Sequence, residues 1–200
     1  MNRRIHTWVL LGVLVLLSGV LAACRGARAR AAADPEAAAM TGQVLYTRTG
    51  MHAAADKKGN WSIKSTNYVA TPKLVRAGAA LTVQSIGRDR MEVLEADGTP
   101  LDIRFEAKHS MMSFDAWRDR QFSSTPIELP KDLSKLERKC IEEGRAEVGM
   151  SRDALFVAIG YPPANRLPDL QAGSLTYATD MWGTRRYEFD DKGKLTAIVE

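Results

Sequence analysis

Short alternating segments separated by turn residues dominate residues 41–106 and restrict this region to sheet structure. In the segment PLDIRFEA, Leu101 and Ile103 alternate with polar residues, which is the period of a strand with one buried face. An Asp97-Gly98 pair between two such segments is typical of a hairpin turn. Strands that recur at short intervals favour a small β-barrel or sandwich.

The same alternation of apolar and polar residues predicts six strands and one further turn before the pattern becomes helical. The predicted strands are QVLYTR, WSIK, NYVA, ALTVQSIG, RMEVLEADG and PLDIRFEA, and the turn is DKKGN. The stretch from TPKLVRAG to DIRFE resembles bacterial SH3-like barrels, with a turn glycine ahead of a valine-rich strand. The resemblance implies a small all-β barrel over residues 41–126.

The segment SFDAWRDRQF predicts a short helix that closes this region. Ser113 is a typical N-cap, and Phe114 and Trp117 fall at helical spacing. Pro126 ends the element. We expect both aromatic side chains to pack onto the barrel, with ligand stacking by Trp117 as the alternative.

The C-terminal region changes to helical periodicity and then returns to strands. LSKLERKCIEEG and GMSRDALFVAIG predict two helices, with Ser151 as an N-cap and with Gly144 and Gly160 at the helix ends. SLTYATD, RRYEFDD and KLTAIVE predict three strands. The expected fold class is therefore α+β: a small all-β SH3-like barrel, then a two-helix plus three-stranded antiparallel domain over residues 131–200.

These C-terminal segments resemble a known family. Residues 141–199 resemble the small SmpA/OmlA (BamE) outer-membrane lipoproteins and the related repeats of beta-lactamase-inhibitor proteins. The resemblance implies the fold of this region and a role in envelope assembly. The matched residues are Ile141, Gly144, Gly149, Met150, Ser151, Leu155, Gly160, Pro162, Phe189 and Asp190.

The N-terminus carries a targeting signal. Two arginines precede an apolar run, residues 8–23, which is short for a membrane span and ends on small residues. Leu21-Ala22-Ala23-Cys24 resembles the lipobox of bacterial lipoproteins. The resemblance implies that residues 1–23 are a signal peptide and that Cys24 is lipidated, with palmitate as a typical acyl chain. The alternative is an uncleaved anchor with an incidental cysteine.

The residues after Cys24 suggest a destination and a tether. In enterobacterial lipoproteins an aspartate after the cysteine favours the inner membrane, so Arg25 favours the periplasmic face of the outer membrane. Residues 24–40 are rich in alanine and arginine and cannot form a core, which predicts a lipidated tether. Basic residues beside the lipid suit anionic head groups.

The charge balance gives no indication of a nucleic-acid partner. The formal charge of +4 falls to +2 once Arg3 and Arg4 are removed with the signal peptide. Lipidation of Cys24 would leave Cys140 without an intramolecular partner. An unpaired thiol in an oxidising compartment is best tolerated when buried, so we expect Cys140 in the core.

A search for catalytic chemistry finds no motif. Beyond residue 23 the histidines are His52, expected in a polar turn, and His109, expected in a loop; neither has ligand-spaced neighbours. No nucleophile elbow, phosphate-binding loop, zinc signature or dinucleotide fingerprint is present. We expect no enzymatic activity, no cofactor and no metal.

Two segments are candidates for partner binding. The loop GYPPANRLPDLQAG carries Tyr161, Arg166 and Leu167 between prolines, which lower the ordering cost of binding. Trp182 lies beside a glycine in a predicted turn, where an unpacked aromatic is unfavourable unless it binds something. The alternatives are an exposed connector for the loop and intramolecular packing for Trp182.

The leading functional hypothesis is a non-enzymatic lipoprotein that acts as a periplasmic adaptor in envelope or outer-membrane protein assembly. It would be held by its lipid and would bind an envelope protein. One alternative is a cell-wall binding module that grips peptidoglycan or a wall peptide. Another is a proteinaceous inhibitor of a periplasmic enzyme.

Overall fold

The computed structural model describes residues 39–165 and 169–200. The predicted signal peptide, Cys24, most of the tether, Arg166 and Leu167 lie outside the described residues. The strands are β1 (Val44–Thr47), β2 (Met51–Ala55), β3 (Trp61–Lys64), β4 (Lys73–Val75), β5 (Ala80–Ile86), β6 (Arg90–Glu95), β7 (Pro100–Arg104), β8 (Phe122–Ser123), β9 (Ser174–Ala178), β10 (Thr184–Phe189) and β11 (Leu195–Val199). The helices that lie wholly within the described residues are α1 (Ala107–Ser110), α2 (Phe114–Gln121), α3 (Lys135–Glu143) and α4 (Arg152–Ile159).

Eight of the strands form one curled, mixed sheet. Their order is β4-β2-β3-β7-β6-β5-β1-β8, so that β4 and β8 are edge strands. Most neighbours are antiparallel, but β3 runs parallel to β7. Within the described residues, no helix is both long enough and apolar enough to span a bilayer.

Alternation along the strands explains the core of the large sheet. Leu101 and Ile103 of β7 are almost completely buried, as is Met91 of β6. Their neighbours face outward, where Asp102 lies between two arginines and bonds Arg90 Nε and Arg104 Nε, each at 2.5 Å. The predicted Asp97-Gly98 turn joins β6 to β7, and Gly98 has the positive φ of 84° that such a turn needs.

The helix α2 packs its aromatic residues against this core. Ser113 caps the helix by accepting the N–H of Ala116, as predicted. Trp117 is buried and lies in an aromatic cluster with Phe105, Phe114 and Phe122, with ring centroids 5.6–6.2 Å apart. The prediction that Phe114 and Trp117 pack onto the N-terminal sheet is confirmed.

The C-terminal helices cover a separate three-stranded antiparallel sheet with the order β11-β10-β9. Ser151 accepts the N–H of Ala154 and starts α4, as predicted. Gly144 ends α3 in the left-handed conformation, with φ 62°. The second core lies between these helices and the sheet, and its fully buried members include Cys140, Met150, Leu155, Leu175 and Tyr177.

The predicted fold class is wrong. The described residues do not form a small all-β SH3-like barrel followed by a two-helix domain. They are mostly sheet and comprise an open eight-stranded half-barrel, a three-stranded sheet and four short helices. The strand pattern indicates which face of each strand is buried but not which strand it pairs with. The alternation of apolar and polar residues therefore predicts neither the parallel β3–β7 pair nor the pairing of β8 with β1.

The segment NYVA, predicted as a strand, is a turn. Asn67 has a positive φ of 57°, which Asn tolerates better than most residues. Its side-chain amide donates to the carbonyls of Ile159 (2.6 Å), the last residue of α4, and Tyr161 (3.2 Å). The segment therefore forms a corner against the end of α4, held by the side-chain amide N–H groups of Asn67 and not by a partner strand.

Several contacts join the first seven strands to the C-terminal elements. The N–H of Gly50 donates to the carbonyl of Val157 in α4 at 2.8 Å. The Nε2–H of His52 donates to the carbonyl of Gly144 at 3.1 Å. Separate domains over 41–126 and 131–200 remain a prediction, and any such domains share this interface.

Candidate functional site

The tip of the β9–β10 hairpin exposes two large apolar side chains. Trp182 is 91% exposed and Met181 is 65% exposed. Trp182 is the most exposed large hydrophobic residue in the described part of the chain. Of the two alternatives for Trp182, its exposure excludes close intramolecular packing and leaves a small apolar patch with Met181.

A carboxylate fixes the shape of this tip. Asp180 Oδ1 accepts the backbone N–H groups of Trp182 and Gly183, both at 2.7 Å. These two bonds lower the pKa of Asp180 below its ordinary value. A Cβ at Gly183 would overlap the hydroxyl of Thr179, so a larger residue there would require that side chain to move. The tip is therefore preorganised, which reduces the ordering cost of binding.

The base of the hairpin is held by buried tyrosines and by the Asn67 corner. The rings of Tyr177 and Tyr187 meet edge to face, with centroids 5.2 Å apart. The hydroxyl of Tyr177 donates to the carbonyl of Gly160 at 2.7 Å. The N–H of Val69 donates to the carbonyl of Ala178 at 3.0 Å. The apolar tip therefore projects from a firmly packed base.

The four predicted partner-binding residues differ in their exposure and in whether the structure describes them. Trp182 is exposed, whereas Tyr161 is half-buried and its ring packs on Phe156 at 4.9 Å between centroids. The guanidinium of Arg120 also stacks on the Tyr161 ring, 3.5 Å from the ring centroid. Arg166 and Leu167 lie outside the described residues. Tyr161 is thus part of a packed layer, and Trp182 presents an open surface.

The two histidines have different environments from those expected. His52 lies in strand β2 and is buried, and its Nδ1 has no partner among the described residues. Burial lowers the pKa of His52, although the bond to Gly144 opposes the shift. His109 lies in helix α1, and its Nδ1 accepts from the side-chain amide of Asn165 at 3.2 Å.

Cys140 is fully buried, as predicted from its place on the apolar stripe of its helix. Burial raises the pKa of its thiol. A buried thiol with a raised pKa is a poor nucleophile at neutral pH. This arrangement suits a core residue.

The described residues offer no group of three or more His, Cys, Asp or Glu side chains that could hold a metal ion. Two small clefts adjoin each other around Ser65, Trp117 and Gln121. The larger has about 270 Å³ of empty space, part of it open to solvent, and reaches Tyr161. Much of this space is open to solvent, and the enclosed part has room for little more than one water molecule.

Glu137 is a buried carboxylate that serves two helices at once. Its Oε2 accepts the N–H of Ser134 at 2.9 Å and completes a capping box at the start of α3. Its Oε1 accepts the N–H of Ser151 at 2.8 Å and bonds the Lys194 ammonium at 3.1 Å. The Ser134-x-x-Glu137 pattern signals the capping box in the sequence, but nothing in the sequence signals the second helix.

Loss of this carboxylate should destabilise the fold and change its acid sensitivity. Burial by itself would raise the pKa of Glu137, but the hydrogen bonds from Ser134 and Ser151 outweigh burial and lower it well below the ordinary 4.5. Because the folded pKa lies below the unfolded one, the stabilisation is complete above about pH 4.5 and is lost as the pH falls further. Glu137→Gln should lower the free energy of unfolding by about 2 kcal/mol at pH 7.

The measurement is urea unfolding of wild type and Glu137→Gln between pH 3 and 7. The difference between them should shrink as the pH falls below about 4.5, since the unfolded wild type then takes up a proton that the folded state does not bind. Glu142→Gln on the exposed side of the same helix is the control and should change little. A constant difference at every pH would show that the charge of Glu137 is not what stabilises the helix starts.

Comparisons with protein-family models, with curated proteins and with solved structures find no match for this chain.

Proposed function

We propose that this protein is a lipid-anchored envelope protein that acts as a non-enzymatic adaptor and binds a protein partner through the β9–β10 hairpin tip. The observation that carries the proposal is the exposure of Trp182, 91%, together with Met181 on a preorganised turn. Tryptophan is the residue type most enriched among energetically dominant interface residues.

The anchoring half of the proposal rests on sequence. Leu21-Ala22-Ala23-Cys24 follows a short apolar run and a basic start, and Arg25 favours the periplasmic face of the outer membrane. A lipidated Cys24 followed by a tether would keep the folded region within reach of the membrane surface. A tethered adaptor meets its partner at a high effective concentration, so a small contact surface can suffice.

The hairpin tip supports a protein contact more than an active site. Its exposed groups are apolar, and the one titratable side chain at the turn, Asp180, is occupied by backbone N–H groups. The tip therefore has area to bury and no spare acid or base. This combination suits an adaptor.

The test is a pull-down from detergent-solubilised membranes with the full chain. Trp182→Ala should reduce recovery of the main partner by about tenfold, since truncating an interface anchor often costs 2 kcal/mol or more of affinity. Met111→Ala is the control, because Met111 is 71% exposed but lies on a different segment. Cys24→Ala should abolish palmitate incorporation in the same cells.

The identity of what is recovered separates the alternatives. Outer-membrane assembly proteins support the adaptor, sedimentation with purified sacculi supports a wall-binding module, and a soluble hydrolase supports an inhibitor. Full recovery of the partner with Trp182→Ala would show that the hairpin tip is not the binding surface. Unchanged palmitate labelling in Cys24→Ala would show that Cys24 is not lipidated.

A further inference from the structure

A closely packed seam joins the eight-stranded sheet to helices α3 and α4. We use this name for the contact of Gly50 and His52, at the start of β2, with Gly144 and Ala158. A Cβ at Gly50 would overlap the carbonyl oxygen of Ala158, and one at Gly144 would overlap the side chain of Leu74, the β4 partner of His52. The two sides of the seam therefore approach each other at backbone distance.

His52 is the titratable side chain at this seam. It is only 7% exposed, and its Nε2–H donates to the carbonyl of Gly144 at 3.1 Å. Because a carbonyl oxygen can only accept, Nε2 carries the hydrogen in the neutral ring, and Nδ1 is the nitrogen that would take up a proton. Nδ1 is buried and has no hydrogen-bond partner among the described residues.

Protonation of this ring would place a charge where the seam does not compensate it. The new Nδ1–H would meet no acceptor among the described residues, and a buried unpaired charge is strongly unfavourable. The carbonyl end of a helix favours a cation, and the bond to Gly144 accordingly raises the pKa of His52. Burial has the larger effect, so the pKa is lowered. The neutral ring therefore fits the closed seam and the charged ring does not.

The charged residues on the neighbouring elements pair with one another. The pairs are Lys64 of β3 with Glu106, Lys73 of β4 with Glu95, and Arg145, next to Gly144, with both Glu143 and Glu147. Cys140 of α3 has a raised pKa, so its thiol is neutral in mild acid. Within the described residues, Nδ1 of His52 bonds none of these carboxylates.

We propose that this seam is an acid-sensitive contact, in which uptake of a proton by His52 separates the start of β2 from the ends of α3 and α4 while both cores stay folded. The seam is closed when the ring is neutral and opens when the ring is charged. The inference concerns the seam alone and depends neither on the hairpin tip nor on the lipid anchor.

The expected pH window follows from the direction of the shift. Because the pKa of His52 is lower in the closed seam than the ordinary 6.5, the seam should be most stable above about pH 6.5 and should lose stability as the pH falls below it. Glu137 acts only below about pH 4.5. Measurements between about pH 5 and 7.5 therefore separate the two effects.

The test is hydrogen exchange of the full chain in detergent micelles at these two pH values, corrected for the intrinsic exchange rate at each pH. The N–H of Gly50, which donates to Val157 across the seam, reports opening. Its opening equilibrium constant should rise severalfold at the lower pH in the wild type. It should not rise in His52→Gln, whose side-chain amide can still donate to Gly144 but takes up no proton. The N–H of Leu195, which donates to Met150 within the C-terminal elements, should exchange alike at both pH values.

The matched control replaces the other two histidines of the chain, His6 and His109, by Gln together. This variant should keep the wild-type response at Gly50. The same rise in His52→Gln as in the wild type, or an equal rise at Leu195, would overturn the proposal. If His52→Gln does not fold, the control variant decides alone: a response at Gly50 assigns the effect to His52, and its loss overturns the proposal.

Discussion

Leu155→Ala is expected to lower the free energy of unfolding by roughly 2–5 kcal/mol, because the side chain is fully enclosed and its removal leaves a cavity. Leu155 belongs to the core between α4 and the three-stranded sheet, with Leu175 and Leu195. Helix α4, which carries Leu155, also contacts Gly50 next to β2, so the substitution should destabilise both sheets. Urea unfolding followed by far-UV circular dichroism gives the difference directly.

Leu129→Ala is the matched control, since the same side chain is removed from a position that is 36% exposed. It should change the free energy of unfolding by less than about 1 kcal/mol. Equal effects of the two substitutions would mean that Leu155 is not enclosed by the second core.

Gly50→Ala is expected to destabilise the protein by roughly 3 kcal/mol through overpacking. A Cβ at Gly50 would overlap the backbone carbonyl oxygen of Ala158 in α4, and a helix backbone cannot move aside as a side chain can. The same glycine donates its N–H to the carbonyl of Val157 at 2.8 Å, so any retreat would lengthen this bond. Thermal unfolding of the variant should show a clearly lowered Tm.

Gly173→Ala is the control for this test. A Cβ at Gly173 meets nothing within 4 Å, and its φ lies outside the positive range that favours glycine. Its Tm should stay close to that of the wild type. A wild-type Tm for Gly50→Ala would mean that β2 and α4 do not approach closely in solution.

Local structure could be predicted from the sequence where side-chain pattern and capping residues agree. The alternation at Leu101 and Ile103 predicts a strand with one buried face, and β7 has that face. Ser113 and Ser151 start the helices for which they are the predicted N-caps. These features depend on residues close together in the chain, so a single sequence carries them.

Strand pairing could not be predicted in this way, because it depends on residues far apart in the chain. The parallel pairing of Trp61 with Leu101 has no local signature. The sequence around Asn67 predicts a strand, yet its side chain donates to the carbonyl of Ile159 at the end of α4, and the chain turns there. The prediction of an SH3-like barrel is wrong because it assumed strand pairings that depend on these long-range contacts.

The residues of the candidate sites also differ in whether the local sequence indicates them. An aromatic beside a turn glycine makes Trp182 a candidate from the sequence, with packing and binding equally open, and only the structure shows that its side chain is exposed. The stacking of Arg120 on Tyr161 joins two segments that no motif links. The burial of His52 against Gly144 was missed for the same reason, since an alanine-rich segment reads as a turn until its partner strands are known.

Photo-crosslinking in intact cells tests whether the β9–β10 hairpin tip contacts a protein partner at the membrane. A photoreactive amino acid replaces Met181, which is 65% exposed beside Trp182, so that the proposed anchor stays in place; the same amino acid at Arg88, an exposed position elsewhere, serves as the control. We expect a discrete crosslinked envelope protein from position 181, weaker when Cys24 is also replaced by Ala, and none from position 88. Crosslinks from position 181 no stronger than those from position 88 would show that the hairpin tip is not the contact surface.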